Sequence, residues 1–254
     1  MKIYYKTSAE IEKIRVVSRI VSDILDVLED CCHVGVSTFE LNEIAEHELK
    51  KSNALSAFLG YSSPPYPAVL CTSINDVVVH GVPRRDHVLM DGDIIGLDFG
   101  AFFGGFCGDS ARTIVVGNAS EQARKLVWAA RESLHLGISK AVPGARLQDI
   151  GWAIQSFVEP IGFSVVRKFV GHGIGRAMHE DPQVPNYGEP NKGLRLKVGL
   201  VLAIEPMVNA GTSEVDVLDD GWTAVTRDGK LSAHFEHTVA ITENGPLILS
   251  GAYR

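Results

Sequence analysis

The sequence has 254 residues, of which 45% are hydrophobic and 22% are charged, and its formal net charge is −7. A chain of this length can bury a sizeable core, and the composition argues against a fibrous or disordered protein. The mildly acidic balance argues against a dedicated nucleic-acid-binding protein, which carries a basic face, so we expect no DNA partner.

The N-terminal segment and the cysteines indicate the compartment. The first 15 residues lack the apolar run of a signal peptide, and no stretch is long enough to cross a membrane. Cys31 and Cys32 are adjacent, whereas Cys71 and Cys107 stand alone. This pattern fits neither a disulfide framework nor a Cys-x-x-Cys zinc site. We therefore expect a cytoplasmic protein without a membrane partner.

Helices are predicted at corresponding places in the two halves of the chain. Capping boxes at 7–10 and 37–40 predict the first two helices. The second half begins with a predicted helix over about 120–140, and another follows the next glycine turn. Aligning Gly35 with Gly144 superimposes the two helical patterns, so each half reads helix, glycine turn, helix, strands.

The strands complete an α+β architecture with two related halves around one sheet and a site between them. No linker or low-complexity segment divides the chain, so residues 1–254 are predicted to form a single domain. Strands are predicted in five clusters, at 67–80, 93–116, 163–170, 198–208 and 222–249.

Two aspartates stand in the β-rich segment 93–116. A hairpin about Phe103-Gly104 places Asp98 directly opposite Asp109, with Cβ atoms about 5 Å apart. Like charges facing each other on apolar strands destabilise the pair unless a cation or a shared proton lies between them. A different register, with one aspartate in solvent, is the alternative.

Two glutamates have similar surroundings in the sequence. Glu205 follows an apolar run that resembles a buried strand, which Pro206 ends, and Glu236 lies in an alternating strand. Carboxylates are rarely fully buried unless they are paired or bound to a metal. Each glutamate taken alone is better explained as an exposed residue at a strand end, whereas four such carboxylates together with the histidines favour a site.

The stretch 171–182 carries His172 and His179 among three glycines. It matches neither the dinucleotide-binding pattern nor the H-E-x-x-H zinc helix, which Pro182 would break. Glycines tolerate positive φ and could bend the backbone so that both imidazoles meet. A plain glycine-rich loop with two surface histidines is the alternative.

The candidate ligands are rich in oxygen, which favours Mn, Fe or Co over a structural zinc ion. Four carboxylates are more than one divalent ion needs. They suit two bridged ions about 3.5–4 Å apart, the geometry of aminopeptidase and phosphatase sites.

The candidate ligands are Asp98, Asp109 in GFCGD, His172 in GHGIGR, Glu205 in IEPMVNAG and Glu236 in FEHT. In this order they resemble the ligands of the type I methionine aminopeptidases, and the similarity runs over nearly the whole chain. The resemblance implies the pita-bread fold, in which two pseudo-symmetric αβ halves enclose a dinuclear metal site on a curved antiparallel sheet. It implies removal of the initiator methionine from nascent proteins and peptides whose second residue is small. The interval between Glu205 and Glu236 leaves no room for the helical insert of type II enzymes.

The resemblance also implies a ligand set for two divalent ions of Co, Mn, Fe or Zn. Asp109 and Glu236 would bridge both ions, His172 and Glu205 would complete the first, and Asp98 would chelate the second.

Three residues have catalytic roles by the same resemblance. Glu205 would shuttle a proton, His179 would stabilise the oxyanion, and His80 would lie near the scissile amide. His80 and His179 also belong to the predicted substrate site. The methionine pocket is predicted to be lined by Tyr61, Tyr66, Cys71, His80, Met178 and Trp222.

Two positions depart from the family pattern, because Met178 stands where Phe is common and Gly100 where Thr is common. For the aromatic pocket residues, ordinary packing in the core is the alternative.

A Na⁺ or K⁺ ion is predicted at Asn75, Val77 and Ser232, where main-chain carbonyls suit a hard cation. A plain turn with Ser232 as a capping hydroxyl is the alternative. The expected partners are nascent polypeptide N-termini and the ribosome near its exit tunnel, and we expect a monomer.

Two other functions remain to be separated from this prediction. One is an X-Pro peptidase on the same fold. The other is a non-catalytic homologue, which the presence of all five ligands disfavours.

Overall fold

The computed structural model describes residues 2–251, so the expected domain over 1–254 extends beyond the described residues at both ends. The α-helices are α1 (Ser8–Cys31), α2 (Thr38–Lys51), α3 (Glu121–Ser139) and α4 (Leu147–Val158). The strands are β1 (Leu55–Ser56), β2 (Cys71–Ile74), β3 (Val77–Val79), β4 (Ile94–Phe103), β5 (Phe106–Val115), β6 (Ser164–Val165), β7 (Gly171–Gly173), β8 (Glu180–Val184), β9 (Val201–Ile204), β10 (Met207–Asn209), β11 (Val215–Val217), β12 (Ala224–Thr226), β13 (Ser232–His234), β14 (Glu236–Thr242) and β15 (Gly245–Ile248).

The helix starts follow from their capping residues. The side chains of Thr7 and Ser37 each accept a hydrogen bond from the backbone three residues on, and both predicted capping boxes are confirmed. Ser120 caps α3, which confirms the helix predicted over about 120–140. The helices α1 and α3 pack on the large sheet, α1 against β4 and β5 and α3 against β5, β9 and β14.

The large sheet sets the positions of the functional side chains. Among the described residues it has nine strands in the order β1-β4-β5-β14-β9-β7-β8, with β2 paired to β4 and β15 paired to β14. Neighbouring strands run antiparallel. The strands β13-β10-β6 and β11-β12-β3 form two smaller sheets. Within the described range, no helix has both the length and the apolar character required to cross a bilayer.

The two halves repeat the same backbone hydrogen bonds, which supports the predicted half-repeat. Gly35 and Gly144 have φ of 95° and 90°, values open to glycine but strained for other residues. The amide of Gly35 donates to the carbonyl of Leu89, and that of Gly144 donates to the carbonyl of Leu196, each at 2.9 Å. Each leucine amide then donates back to the residue after its glycine.

The predicted register of the β4–β5 hairpin is wrong by two residues. The loop is Gly104-Gly105, with φ of 60° and 81°, rather than Phe103-Gly104. Two adjacent residues with positive φ form the tight turn that matches the twist of a hairpin. Asp98 therefore lies opposite Ala111 instead of Asp109. Because the shift is an even number, both aspartates still face the same side of the sheet.

Two strand predictions also need correction. The cluster at 163–170 contains only β6, and the chain forms its next strand, β7, at Gly171–Gly173. The strand β14 is buried on both faces for most of its length instead of alternating. Both faces are covered, because Ala240 packs in one hydrophobic cluster and its neighbours Val239 and Ile241 pack in another.

Candidate metal centre and substrate pocket

The central strands of the large sheet bring three predicted carboxylates together. Asp98 on β4 and Glu236 at the start of β14 both lie opposite Ala111 of β5. Asp98, Ala111 and Glu236 therefore form one row across the sheet. Asp109 lies two residues before Ala111 and therefore points to the same face. The small side chain of Ala111 leaves space between two acidic neighbours.

Glu205 and His172 join this face from β9 and β7. Glu205 directly follows β9, one position beyond Ile204, which pairs with His237. His172 pairs with Ala203, which lies two residues before Glu205. The two side chains therefore share a face, and Nε2 of His172 lies 3.5 Å from Oε1 of Glu205.

The arrangement fits a divalent metal ion. Asp109, His172 and Glu236 are buried, and each offers one ligand atom, with these atoms all within 4.8 Å of one another. Oδ1 of Asp98 and Oδ1 of Asp109 are buried without a hydrogen-bond partner among the described residues. Buried carboxylate oxygens without partners are costly, and a cation would provide what they lack.

The pKa values of the cluster also indicate that a cation belongs among these carboxylates. Burial raises the pKa of Asp109 to about 7. Burial, with the neighbouring acidic charges, raises the pKa values of Asp98, Glu205 and Glu236 well above their usual range. Four such carboxylates are stable together in the ionised form only when positive charge lies among them. Burial also lowers the pKa of His172 to about 3, which keeps the ring in its neutral, metal-binding form.

His172 has its second nitrogen engaged by the backbone. Its Nδ1 lies 2.9 Å from the carbonyl oxygen of Gly173, and because a carbonyl only accepts, Nδ1 is the donor. The proton on Nδ1 leaves the lone pair of Nε2 free to bind a metal ion, which is the usual arrangement of a histidine ligand.

The glycines of this stretch serve close packing rather than positive φ, contrary to our expectation. Gly171, Gly173 and Gly175 are absent from the residues with positive φ. A Cβ at Gly171 or at Gly173 would lie 2.3 Å from a backbone oxygen of a neighbouring strand. The predicted outcome is nevertheless found, since the rings of His172 and His179 lie with centroids 4.3 Å apart.

His179 lies in the turn between β7 and β8, beside the metal ligands. Its Nδ1 lies 2.6 Å from the hydroxyl of Tyr61. Burial lowers the pKa of His179 and raises that of Tyr61, so the ring is neutral and the phenol protonated. The carboxylate of Glu180 accepts hydrogen bonds from Arg176 N and Lys6 Nζ, which fixes this turn.

An apolar pocket opens next to the carboxylates, and all six predicted pocket residues line it. Tyr66 and Trp222 meet edge to face with centroids 5.1 Å apart. The hydroxyl oxygen of Tyr66 lies 3.1 and 2.9 Å from the carbonyl oxygens of Leu70 and Gly81, which share its proton. These contacts make the aromatic wall rigid. The same pocket is lined by the five predicted ligands and by His179.

His80 directly follows β3 and lines the pocket. Its φ is 59°, which is unusual for a residue other than glycine and marks a constrained position. The ring contacts Phe169 and Trp222 edge-on, at centroid distances of 5.3 and 5.9 Å. Burial, and then the nearby His179, lower the pKa of His80 to about 4, so its ring is neutral.

Sequence reasoning missed Phe58, Ser62 and His234. Phe58 and Ser62 line the pocket but lie in a segment without a recognisable pattern. His234 is buried, with Nε2 3.8 Å from Oε2 of Glu205. Its position two residues before Glu236 was the available signal, since strand residues two apart share a face.

The residues predicted to bind an alkali ion lie close together. The amide of Ser232 donates to the carbonyl of Asn75 at 2.7 Å, and Asn75 has a φ of 53° in the turn before β3. Val77 begins β3. This contact links the segment before His80 to the strand before Glu236, and the ion itself stays a prediction.

Comparison with known proteins identifies the family. The model of metallopeptidase family M24 matches residues 12–243. A methionine aminopeptidase from Clostridium acetobutylicum is 50% identical over 248 residues, covering 98% of each chain. The methionine aminopeptidase structure from Thermotoga maritima has a TM-score of 0.96 at 44% identity and covers 99% of this chain and 100% of its own. The chain belongs to the type I methionine aminopeptidases.

Membership in the methionine aminopeptidases confirms the predicted pita-bread fold and metallopeptidase class. Family M24 implies divalent metal ions, and these enzymes remove the initiator methionine from nascent proteins. The prolidase from Pyrococcus furiosus has a TM-score of 0.78 at 24% identity, and this chain covers 66% of its length. The prolidase shares the fold alone, so the comparison favours the methionine aminopeptidases over the X-Pro alternative.

Proposed function

We propose that this chain removes the initiator methionine from nascent polypeptides whose second residue is small, using two divalent metal ions. The observation that carries the proposal is the shared cavity, in which three buried and two half-buried ligand residues and an apolar pocket open onto the same space. A metal centre at the mouth of a pocket for one side chain suits cleavage of the first peptide bond.

In this proposal two ions would be held by Asp109 and Glu236, which they would share, by His172 and Glu205 at the first site, and by Asp98 at the second. Oxygen donors and one imidazole accept Mn, Fe, Co or Zn. When bound, the ions supply a Lewis acid and lower the pKa of water. In the metal-free protein, burial and its acidic neighbours raise the pKa of the Glu205 carboxyl group. During the reaction this group would accept a proton and pass it on.

His179 has the geometry of an oxyanion donor. When the Tyr61 hydroxyl donates to Nδ1 of the neutral ring, the imidazole proton lies on Nε2. That N–H would stabilise the negative charge that develops on the substrate carbonyl oxygen. His80, neutral and held against Trp222, would lie near the scissile amide.

The pocket would select methionine by apolar and aromatic contact. Tyr66, Cys71, Met178 and Trp222 line it, and thioether sulfur packs well against aromatic rings. A substrate amino group would be held near the carboxylates at the pocket's mouth. A narrow cleft beyond the metal centre would exclude large second residues.

We further propose a cytoplasmic monomer that acts on N-termini near the ribosomal exit tunnel. A Na⁺ or K⁺ ion would bind carbonyl oxygens at Asn75, Val77 and Ser232 and would stabilise that junction. The melting temperature should then be higher in KCl or NaCl than in tetramethylammonium chloride at equal ionic strength. Equal values in the three salts would contradict the alkali-ion site.

Metal analysis combined with peptide cleavage tests the main proposal. Protein purified without chelators should contain divalent metal, release Met from Met-Ala-Ser, and leave X-Pro peptides intact. Asp109→Asn should abolish cleavage and lower metal content, whereas Asp23→Asn on the exposed face of α1 should change neither. Normal turnover in Asp109→Asn at unchanged metal content would contradict the proposed ligand set.

A further inference from the structure

The carboxylate of Glu205 lies between two buried histidines. Nε2 of His172 is 3.5 Å from Oε1, and Nε2 of His234 is 3.8 Å from Oε2. The role proposed for His172 accounts for one of these contacts. His234 has no role in that set, although its side chain is only 4% exposed and faces the metal centre.

One ring nitrogen of His234 is buried without a hydrogen bond to any described residue. This nitrogen is Nε2. Buried polar atoms in proteins are almost always hydrogen-bonded, so an orphan of this kind indicates a missing interaction. The carboxylate of Glu205 is a suitable acceptor, and rotation about its soft terminal torsion brings Oε2 toward the ring.

The backbone holds His234 in a fixed place. Its amide donates to Oγ1 of Thr113 at 2.9 Å, and the same hydroxyl donates to its carbonyl at 2.8 Å. In addition, His234 pairs with Met207 of β10, which lies two residues after Glu205. His234 and Glu205 are therefore attached to a common rigid unit, so the ring can set the orientation of the carboxylate.

We propose that His234 is a positioning residue whose Nε2–H donates to Oε2 of Glu205 and thereby directs Oε1 toward His172 and the first metal site. The proposal rests on the role of Glu205 given under the proposed function. Hydrogen-bond partners of metal-binding side chains fix ligand orientation, and their loss typically weakens metal binding or activity about 10–100-fold. His234 itself does not bind the metal.

Two substitutions separate this role from simple packing. His234→Gln keeps an N–H at a reach similar to that of Nε2, whereas His234→Leu fills a similar volume without a donor. After chelator treatment, Mn²⁺ binding should be about 10–100-fold weaker in His234→Leu, with two ions still bound at saturation. In the metal-saturated enzyme, kcat for Met-Ala-Ser should fall and KM should change little. His234→Gln should restore both values to near wild type.

Three outcomes would overturn the proposal: wild-type affinity and kcat in His234→Leu, a His234→Gln variant as defective as His234→Leu, or loss of one ion at saturation. Should His234→Leu fail to fold, His234→Asn replaces it, because its amide reaches the place of Nδ1 rather than Nε2 and should remain defective. Failure of Asn to differ from wild type would equally contradict the proposal.

A double-mutant cycle distinguishes this inference from the role of Glu205. Glu205→Gln should weaken Mn²⁺ binding, and adding His234→Leu should then cost much less than it does alone. If Glu205→Gln binds Mn²⁺ normally, the proposed role of Glu205 is wrong. If it binds weakly but the two substitutions are additive, only the role of His234 is wrong.

Discussion

The imidazole rings of His172 and His179 lie with centroids 4.3 Å apart but are held by different groups. His172 donates from Nδ1 to the carbonyl of Gly173, whereas Nδ1 of His179 lies 2.6 Å from the Tyr61 hydroxyl. The backbone contact turns Nε2 of His172 toward the ligands. With the Tyr61 hydroxyl as donor, Nε2 of His179 would carry the ring proton, and we propose that these two neighbouring histidines have different roles.

This division predicts the effect of His179→Ala. Loss of an oxyanion donor should lower kcat by about 10²–10³-fold, while the metal content stays at the wild-type value. Tyr61→Phe should lower kcat less, because the imidazole of His179 remains in place and only its tautomer is no longer fixed. Steady-state kinetics and metal analysis check both variants. If His179→Ala loses its metal, His179 is a ligand and the division is wrong.

Gly100 allows Phe58 to form part of the pocket wall. A Cβ at this position would lie 2.8 Å from Cε1 of Phe58 and 3.1 Å from Oδ1 of Asp109. Gly100→Ala should therefore displace the ring or the ligand and lower kcat/KM for Met-Ala-Ser by about 10-fold or more. Phe58→Leu in the same chain should recover part of the loss, since the smaller side chain leaves room.

Gly96→Ala on the same strand is the matched control. A Cβ at Gly96 would have the Cβ of Ser73 as its nearest neighbour, at 3.4 Å, and such a distance needs little adjustment. We expect near wild-type kcat/KM in this control. Equal losses of kcat/KM in the two alanine variants would show that a methyl group added at either glycine of β4 disturbs the sheet. That result would contradict the specific role of Gly100.

The metal-free protein should lose stability as the pH rises from 6.5 to 8. Burial raises the pKa of Asp109 to about 7, and with nearby acidic charge it raises that of Glu236 well above its usual range. The folded state therefore holds protons that the unfolded chain has already released. The resulting stability is present at low pH and disappears as the pH rises through these raised values.

Melting temperatures with chelator and with Mn²⁺ check this prediction. The chelator-treated protein should melt at a lower temperature at pH 8 than at pH 6.5, whereas the Mn²⁺ form should show no such decrease. Histidines with lowered pKa values, such as His172 at about 3, act in the opposite direction only below about pH 6.5. A metal-free protein that gains stability over this range would contradict the account of the carboxylates.

Specificity should follow from the pocket and the cleft. Met-Ala, Met-Gly and Met-Ser peptides should be cleaved, and Met-Lys or Met-Phe peptides should be cleaved poorly. Trp222→Ala should raise KM for all good substrates, because it removes a wall that contacts both Tyr66 and His80. Similar kcat/KM values for small and large second residues would contradict the proposed cleft.

Much of the fold followed from local signals. The capping residues Thr7 and Ser37 determine where α1 and α2 begin, and hydrogen bonds between near neighbours decide such positions. Gly35 and Gly144 marked the half-repeat because both turns require the same backbone conformation. The ligand motifs carried the resemblance, and strand periodicity placed Asp98 and Asp109 on one face even though the predicted register was wrong.

The remaining features depend on contacts between distant segments. The register of β4 against β5 is an exception, because the adjacent glycines Gly104 and Gly105 are themselves the local signal for the turn and the prediction placed the turn one residue too early. Phe58 enters the pocket because Gly100, 42 positions later, lacks a side chain. His234 faces Glu205 through the pairing of β13 with β10. The contact between Phe58 and Gly100 has no signature in the local sequence, whereas the position of His234 two residues before Glu236 was a weak one.

Anomalous X-ray diffraction from crystals grown with Mn²⁺ tests the central claim most directly. We predict two anomalous peaks about 3.5–4 Å apart. Asp109 and Glu236 should contact both peaks, His172 and Glu205 only the first, and Asp98 only the second. A single peak under saturating Mn²⁺, or peaks outside this set of five residues, would contradict the dinuclear centre.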